Sequence, residues 1–192
     1  MKSILMSIQP KWCEKIESRA KTIEVRKTRP KIETPFKVYI YCTKSKEVLG
    51  TDKIVYWTGE VIGEFVCDRI DEYTSGIPPF YEASDGYNVY PPELEKMCLG
   101  YKDLDAYGKG KPLYGWHISE LKIYDQPKEL SDFVKIKPCE NDFECPDDCP
   151  SLEWKYYSTP DCKEWDTACR TNLHKPLTRP PQSYMYVEKL ED

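Results

Sequence analysis

The sequence predicts an α+β fold, a small mixed β-barrel with a few short helices, for a chain of 192 residues. Five or six strand-like segments are spread along the chain, and the helical segments between them are too few and too short for repeated βαβ crossovers. A stretch rich in Cys, Pro, Asp and Tyr, without a clear period, interrupts this pattern at residues 139–181. We therefore expect one domain over residues 1–192, in which 139–181 is an irregular insertion before the last strand.

The strand predictions rest on apolar runs and on alternation of apolar and polar residues. The predicted strands are 3–8, 22–27, 36–43, 59–73, 113–124 and 183–187. Pro10 is suited to the start of a helix, and Trp12 and Ile16 then fall on one helical face. The predicted helical segments are 11–18, 92–99 and 102–108, and residues 125–133 are expected to form a loop.

The charge of the chain is distributed unevenly. The net charge is −5 and the sequence pI is about 5.3, which argues against non-specific binding of long duplex DNA. The first 46 residues are nevertheless basic, so a local cationic cleft is compatible with the acidic total. The start of the chain lacks the pattern of a targeting segment, and no apolar run is long enough to span a bilayer. We expect a cytoplasmic protein that does not bind membranes.

The segment 21–26 is the strongest candidate for a functional site. In an extended strand Glu24 and Arg26 share one face, whereas Ile23 and Val25 point to the other. Lys21, just before the strand, can turn toward the same surface, which places two cations and one carboxylate on one wall. The alternative interpretation is that these are ordinary solvent-facing strand charges, because such alternation is common in strands.

This segment resembles the signature of the ASCH domain family, Gly-x-Lys-x-x-Glu-x-Arg. Lys21, Glu24 and Arg26 match the signature, and Arg19 stands where the family has Gly. The resemblance continues upstream, and downstream it is similar to ASCH proteins of the phage and Firmicute type. The similar segments are 4–8, 10–17, 115–119 and 180–184. The resemblance covers about residues 1–135 and 177–190 and implies a PUA-like barrel with a ligand cleft.

The resemblance also implies a range of functions. Members of the family have been linked to RNA binding, to hydrolysis of N4-acetylcytidine and to RNA cleavage. In the amidohydrolase members a Lys, a Thr and a Glu are implicated, and this chain has Glu24 at the position of that Thr. We therefore expect a protein that binds RNA or a modified nucleoside. A hydrolase or ribonuclease, and an interaction protein that uses the barrel as a scaffold, stay open as alternatives.

The candidate residues divide into two roles. For catalysis, a lysine could act as a base or as a clamp on an oxyanion, with carboxylates to orient it or to activate water. The residues expected to do this are Lys21, Glu24 and Glu64. For binding, cations hold a phosphate while an aromatic ring stacks on a base. The residues expected to do this are Arg19, Lys21, Thr22, Glu24, Arg26 and Tyr41, with Tyr39 and Trp57 as further stacking candidates.

Nine cysteines need an explanation in a chain of this kind. The spacing Cys145-x3-Cys149 followed by Cys162-x6-Cys169 would allow one structural zinc with four thiolate ligands. Disulfides and free thiols are the alternatives, and spacing alone does not decide between them. The other thiols lie among apolar residues and are expected to be buried in the core. They are Cys13, Cys42, Cys67 and Cys98.

Overall fold

The structure is a computed structural model, and it describes residues 3–44, 58–74, 87–135 and 177–189, together with the strands 152–158 and 163–169. The helices are α1 Pro10–Glu17, α2 Pro91–Met97 and α3 Tyr101–Gly108, and a single 3-10 turn covers Leu130–Asp132. The strands are β1 Ser3–Ile8, β2 Ile23–Arg26, β3 Phe36–Cys42, β4 Val61–Tyr73, β5 Leu113–Lys128, β6 Phe133–Lys135, β7 Leu152–Ser158, β8 Lys163–Cys169 and β9 Tyr184–Lys189.

One mixed sheet contains seven of the nine described strands. Its order is β2-β5-β4-β3-β1-β9-β6, in which β1 and β3 are parallel and all other neighbours are antiparallel. The parallel pair requires a crossover, which α1 and β2 provide between β1 and β3. The predicted α+β class, the mixed sheet and the short helices are confirmed.

The sheet curves so that its edge strand β2 approaches the inner strand β1. Arg26, on the edge strand β2, donates from Nη2 to the Ser7 carbonyl on β1 at 2.6 Å. Under this curl the Trp116 ring packs against Phe36 and Tyr184, with ring centroids 5.5 and 5.2 Å away. Within the described ranges the edge strands β2 and β6 are not hydrogen-bonded to each other, so the barrel is open there.

Three of the four cysteines predicted for the core are buried in the main apolar cluster, namely Cys13, Cys42 and Cys67. Burial raises the pKa of Cys13, and it raises the pKa of Cys67 to about 12, so both thiols stay protonated. The prediction is wrong for Cys98, which is only half-buried. Its backbone adopts a left-handed conformation that ends α2, and its thiol donates to the Ala20 carbonyl.

Two other parts of the chain differ from the sequence prediction. The sequence predicts a loop at 125–133, but β5 continues to Lys128 and the 3-10 turn follows directly. It predicts an irregular segment at 139–181, but this segment contains the antiparallel pair β7 and β8, in register with Tyr156 opposite Trp165. A strand pair interrupted by Pro, Asp and Cys offers a weaker periodic signal than the long central strands. None of the helices in the described ranges has the length and apolar character to cross a membrane.

Candidate functional site

The turn between α1 and β2 sets the position of the predicted site. Arg19 has a φ of 60°, the left-handed conformation that glycine adopts most easily. The Lys21 amide donates to the Lys15 carbonyl at 2.8 Å, and the Thr22 amide donates to the Lys96 carbonyl at 2.8 Å. Arg19 therefore keeps the turn that a glycine would make, and the turn connects the end of α1 to the end of α2.

Lys21, Glu24 and Arg26 form a buried charged group. They are 2%, 6% and 8% exposed, which excludes the interpretation of ordinary solvent-facing charges. Glu24 lies between the two cations, with Oε2 3.4 Å from Lys21 Nζ and Oε1 3.2 Å from Arg26 Nε. Charged side chains are almost never buried unless they are paired, and here one carboxylate partners two cations.

Both cations also hold main-chain carbonyls. Lys21 Nζ donates to the Met97 carbonyl at 2.6 Å, at the end of α2, where the helix dipole favours a positive charge. Arg26 Nη2 donates to the Ser7 carbonyl at 2.6 Å. The group therefore joins β2 to α2 on one side and to β1 on the other.

One donor of this group is left unsatisfied. Arg26 Nε is buried and has no hydrogen-bond partner within the residues that the structure describes, although Glu24 lies within ion-pair distance. Nearly all buried polar groups in folded proteins are hydrogen-bonded, so the Nε donor depends on the Glu24 carboxylate 3.2 Å away. The Tyr73 hydroxyl and Trp116 Nε1, which do not line the cavity, also have no partner in the part of the chain that the structure describes.

A cavity of about 570 Å³ opens beside this group. The volume is in the range of small-molecule sites, and aromatic, apolar and polar side chains all contribute to its walls. The residues that line it are Ser7, Ile8, Gln9, Trp12, Lys21, Glu24, Val25, Arg26, Thr43, Leu99, Asp103, Ala106, Tyr107 and Gln182. The cavity therefore joins the end of β1, the start of α1, strand β2 and helix α3.

Lysine amines lie close to two aromatic rings of the cavity wall. Trp12 has Lys11 Nζ at 4.8 Å and Lys21 Nζ at 5.0 Å from its ring centroid, and Tyr107 has Lys27 Nζ at 4.5 Å. Burial raises the pKa of Tyr107 although Arg26 nearby opposes the shift, so the phenol stays protonated. Sequence reasoning assigned Trp12 to a helix face and missed Tyr107 as a site residue. Nothing in the local pattern around 101–108 distinguishes a cavity-lining tyrosine from a packed one.

The structure brings together only part of the predicted set. Lys21, Glu24 and Arg26 line one cavity, while Thr22 contributes its backbone to the turn and Arg19 lies exposed, 3.5 Å from the Leu121 carbonyl. The side chains of Arg19 and Thr22 are therefore not cavity-lining residues.

Glu64 and Tyr41 are corrections to the predicted site. Glu64 accepts hydrogen bonds from Lys37 Nζ at 3.0 Å and from the Tyr124 hydroxyl at 2.6 Å, and it does not line the cavity. Tyr41, like Tyr39, packs in an apolar cluster with Phe133. Strand alternation shows which residues share a face of the sheet. It does not show whether that face borders the cavity, and the side chains of Glu64 and Tyr41 do not line it.

Most of the predicted zinc ligands, and Trp57, are outside the described residues. Cys145, Cys149 and Cys162 lie there, whereas Cys169 is the last residue of β8. A zinc site with these four thiolates therefore stays a prediction. In the described ranges no group of three His, Cys, Asp or Glu side chains could hold a metal.

Comparisons with known proteins found similar solved structures. The crystal structure of ASCH from Zymomonas mobilis has a TM-score of 0.49 and 17% identity, over 67% of this chain and 74% of that chain. A Tyr-to-Phe mutant of that protein has a TM-score of 0.46 and 16% identity, over 68% of this chain and 77% of that chain. A Ser-to-Ala mutant has a TM-score of 0.46 and 17% identity, over 67% of this chain and 75% of that chain. No family model and no curated protein matches the sequence. The roles proposed for the site therefore rest on this chain's own residues.

Proposed function

We propose that this chain is an ASCH-type protein that binds RNA or a modified nucleoside in the cavity between β2, α1 and α3. The observation that carries the proposal is the buried group Lys21, Glu24 and Arg26, whose three residues all line a cavity of about 570 Å³. Buried, paired charges beside a concave site are costly to fold, and binding is a reason to keep them.

The walls suit a nucleobase. Trp12 and Tyr107 line the cavity, and a base that displaces a lysine amine from either ring can stack there; such stacking is sequence-tolerant because every base has a π-face. Glu24 offers carboxylate acceptors and Arg26 offers a donor, and these two types of group together recognise the edge of an amide-like heterocycle. Stacking together with edge recognition is how proteins read unpaired bases.

The geometry supports binding more than general-base catalysis at Lys21. Its amine donates to the Met97 carbonyl and lies 3.4 Å from the Glu24 carboxylate, so both contacts already engage the amine. A base needs a free lone pair directed at the substrate, whereas this amine is committed as a donor. Glu64, the expected second carboxylate, is absent from the cavity wall. Lys21 is therefore best suited to be a fixed positive charge.

The test compares binding with turnover. The protein is titrated with cytidine, N4-acetylcytidine and a labelled single-stranded RNA, and each mixture is then assayed for deacetylation or cleavage. We expect binding without turnover, and at least tenfold weaker binding for Lys21→Ala. Trp12→Leu should weaken binding as well, and it leaves the charged group intact if Lys21→Ala fails to fold. Lys122→Ala, an exposed lysine on β5 that does not line the cavity, is the matched control.

The other outcomes select the alternatives. Turnover that disappears in Lys21→Ala, with a folded variant, would support an amidohydrolase or a ribonuclease in place of a binding module. Neither binding nor turnover over a range of salt concentrations would refute both and favour an interaction protein built on this scaffold. Binding that is equal in wild type, Trp12→Leu and Lys21→Ala would place the ligand outside the cavity.

A further inference from the structure

Two exposed lysines lie next to aromatic rings of the cavity wall and are not part of the buried group. Lys11 and Lys27 are exposed, and each lies within 5 Å of the centroid of a ring that lines the cavity. Within the ranges that the structure describes, neither is paired with a carboxylate. Their positive charge is therefore available to a ligand that enters between Trp12 and Tyr107.

The deep end of the cavity has a different electrostatic character. Glu24 lies 3.4 Å from Lys21 and 3.2 Å from Arg26, so a phosphate that approached either cation would also meet this carboxylate. Both cations already donate to carbonyls of the main chain. Arg26 Nε is itself buried 3.2 Å from Glu24, so it does not offer a phosphate a further donor. A neutral base edge can approach the Glu24 carboxylate, whereas a phosphate dianion is repelled by it.

We infer that the ligand is a nucleotide that enters base first, and that its phosphate is held at the mouth by Lys27, with Lys11 on the other side. This inference rests on the proposed function and names the chemical class of its ligand, a phosphorylated nucleoside or a nucleotide within a single strand. Lys27 directly follows the last residue of β2, and Tyr107, which its amine overlies, is 37% exposed. The phosphate site is thus at the solvent edge, where a strand could continue in both directions.

Asp103 is a third charged residue near this position, and it narrows where the phosphate can bind. Asp103 also lines the cavity, on α3, and its Oδ2 accepts the Gly100 amide at 2.8 Å. A phosphate near Asp103 would be repelled, so the favourable positions are those closest to Lys27 and Lys11. Because these lysines are exposed, the attraction is screened by salt, unlike the contacts in the deep end.

The experiment is a comparison of ligands with and without phosphate. Wild type, Lys27→Gln, Lys11→Gln and the control Lys122→Gln are titrated with cytidine, cytidine 5′-monophosphate and cytidine 3′-monophosphate at about 50 and 300 mM salt, concentrations chosen to change the screening length. We expect at least one monophosphate to bind roughly three- to tenfold more tightly than cytidine at low salt, as for a charge-assisted contact at an exposed site. The affinity gain of the monophosphate over cytidine should decrease at high salt and in Lys27→Gln. It should decrease less in Lys11→Gln and stay unchanged in Lys122→Gln.

Failure of this inference is distinguishable from failure of the proposed function. If cytidine binds in the cavity but neither monophosphate gains affinity, the base-first orientation with a phosphate at the mouth is refuted, and the proposed function stands. The orientation is refuted as well if the phosphate advantage survives Lys27→Gln and Lys11→Gln together. If neither nucleoside nor nucleotide binds, both proposals fall. If the affinity gain from the phosphate is lost in Lys21→Met but kept in Lys27→Gln and Lys11→Gln, the nucleotide enters with its phosphate first.

Discussion

Two glutamates on strands of the same sheet have nearly opposite surroundings. Glu24 is buried between two cations, beside a cavity, in a group with an orphaned donor. The Glu64 side chain is 22% exposed, and both of its oxygens are satisfied, one by Lys37 and one by Tyr124. The sequence predicts both residues as catalytic carboxylates on strands. Only Glu24 is placed where its charge can act on a ligand.

The difference shows which features identify a site in this molecule. The Glu64 network is closed, because each donor has an acceptor and the carboxylate has no free direction inside a cavity. The Glu24 group is open, because Lys21, Glu24 and Arg26 all line the cavity. A closed polar network stabilises a fold, whereas an open and buried one has a cost that binding can offset.

Glu24→Gln is the strongest test of this difference between Glu24 and Glu64. The substitution keeps the shape but leaves Lys21 and Arg26 buried without their carboxylate, so we expect a loss of about 3–5 kcal/mol in the free energy of unfolding. Urea denaturation followed by tryptophan fluorescence measures it. A loss below about 1 kcal/mol would mean that the group is hydrated and that Glu24 resembles Glu64 after all.

A triple variant separates stability from function in the same group. Replacing Lys21 by Met, Glu24 by Leu and Arg26 by Met removes all three charges together. Such replacements of buried ion pairs are often neutral or stabilising, so the variant should unfold at or near the wild-type urea concentration. It should nevertheless lose nucleoside binding. Retained binding in a folded triple variant would contradict the proposed role of the group.

The sequence predicted these three residues because two physical rules act locally. Strand alternation fixes that Glu24 and Arg26 share a face, and the chain makes Lys21 their neighbour. The non-local part could not be predicted in this way. Tyr107 on α3 and Arg26 on β2 line the same cavity although they are far apart in the sequence, and Glu64 lies elsewhere in the sheet, opposite Tyr39 on β3 and Lys122 on β5.

The fold was predictable to a similar depth. The long central strands and the short helices have strong periodic signals, and the structure places them within a few residues of the predicted bounds. The register of distant segments has no such local signal. The partners of β2 and β9 are determined by the pairing of the whole sheet, and the β7–β8 pair interrupts a segment whose composition favours turns.

A smaller effect is expected for Glu64→Gln, and it depends on pH. Hydrogen bonds from Tyr124 and Lys37 lower the pKa of Glu64 against the opposing effect of burial. A carboxyl group whose folded-state pKa is lowered stabilises the fold above its unfolded pKa, and this contribution disappears as the pH falls through the folded value. Glu64→Gln should therefore be destabilised by about 1 kcal/mol at pH 7.

The pH profile is the control for that prediction. The difference in unfolding free energy between wild type and Glu64→Gln should narrow as the pH falls below about 4.5, because the wild-type carboxyl becomes protonated there. A difference that stays constant from about pH 7 to about pH 3 would show that the lost interaction does not involve the carboxylate charge. Glu24→Gln differs from Glu64→Gln, because its main cost is that two cations are left buried without their carboxylate.

The smallest expected effect belongs to Lys37→Gln. The Lys37 side chain is 37% exposed, and its ion pair with Glu64 at 3.0 Å is partly screened by water. Exposed pairs contribute little, so we expect a change below about 1 kcal/mol, which decreases further as salt is added. The Tyr124 hydroxyl still satisfies Glu64 in this variant. If Lys37→Gln destabilised the protein as much as Glu24→Gln, the distinction between a closed and an open network would have no energetic basis.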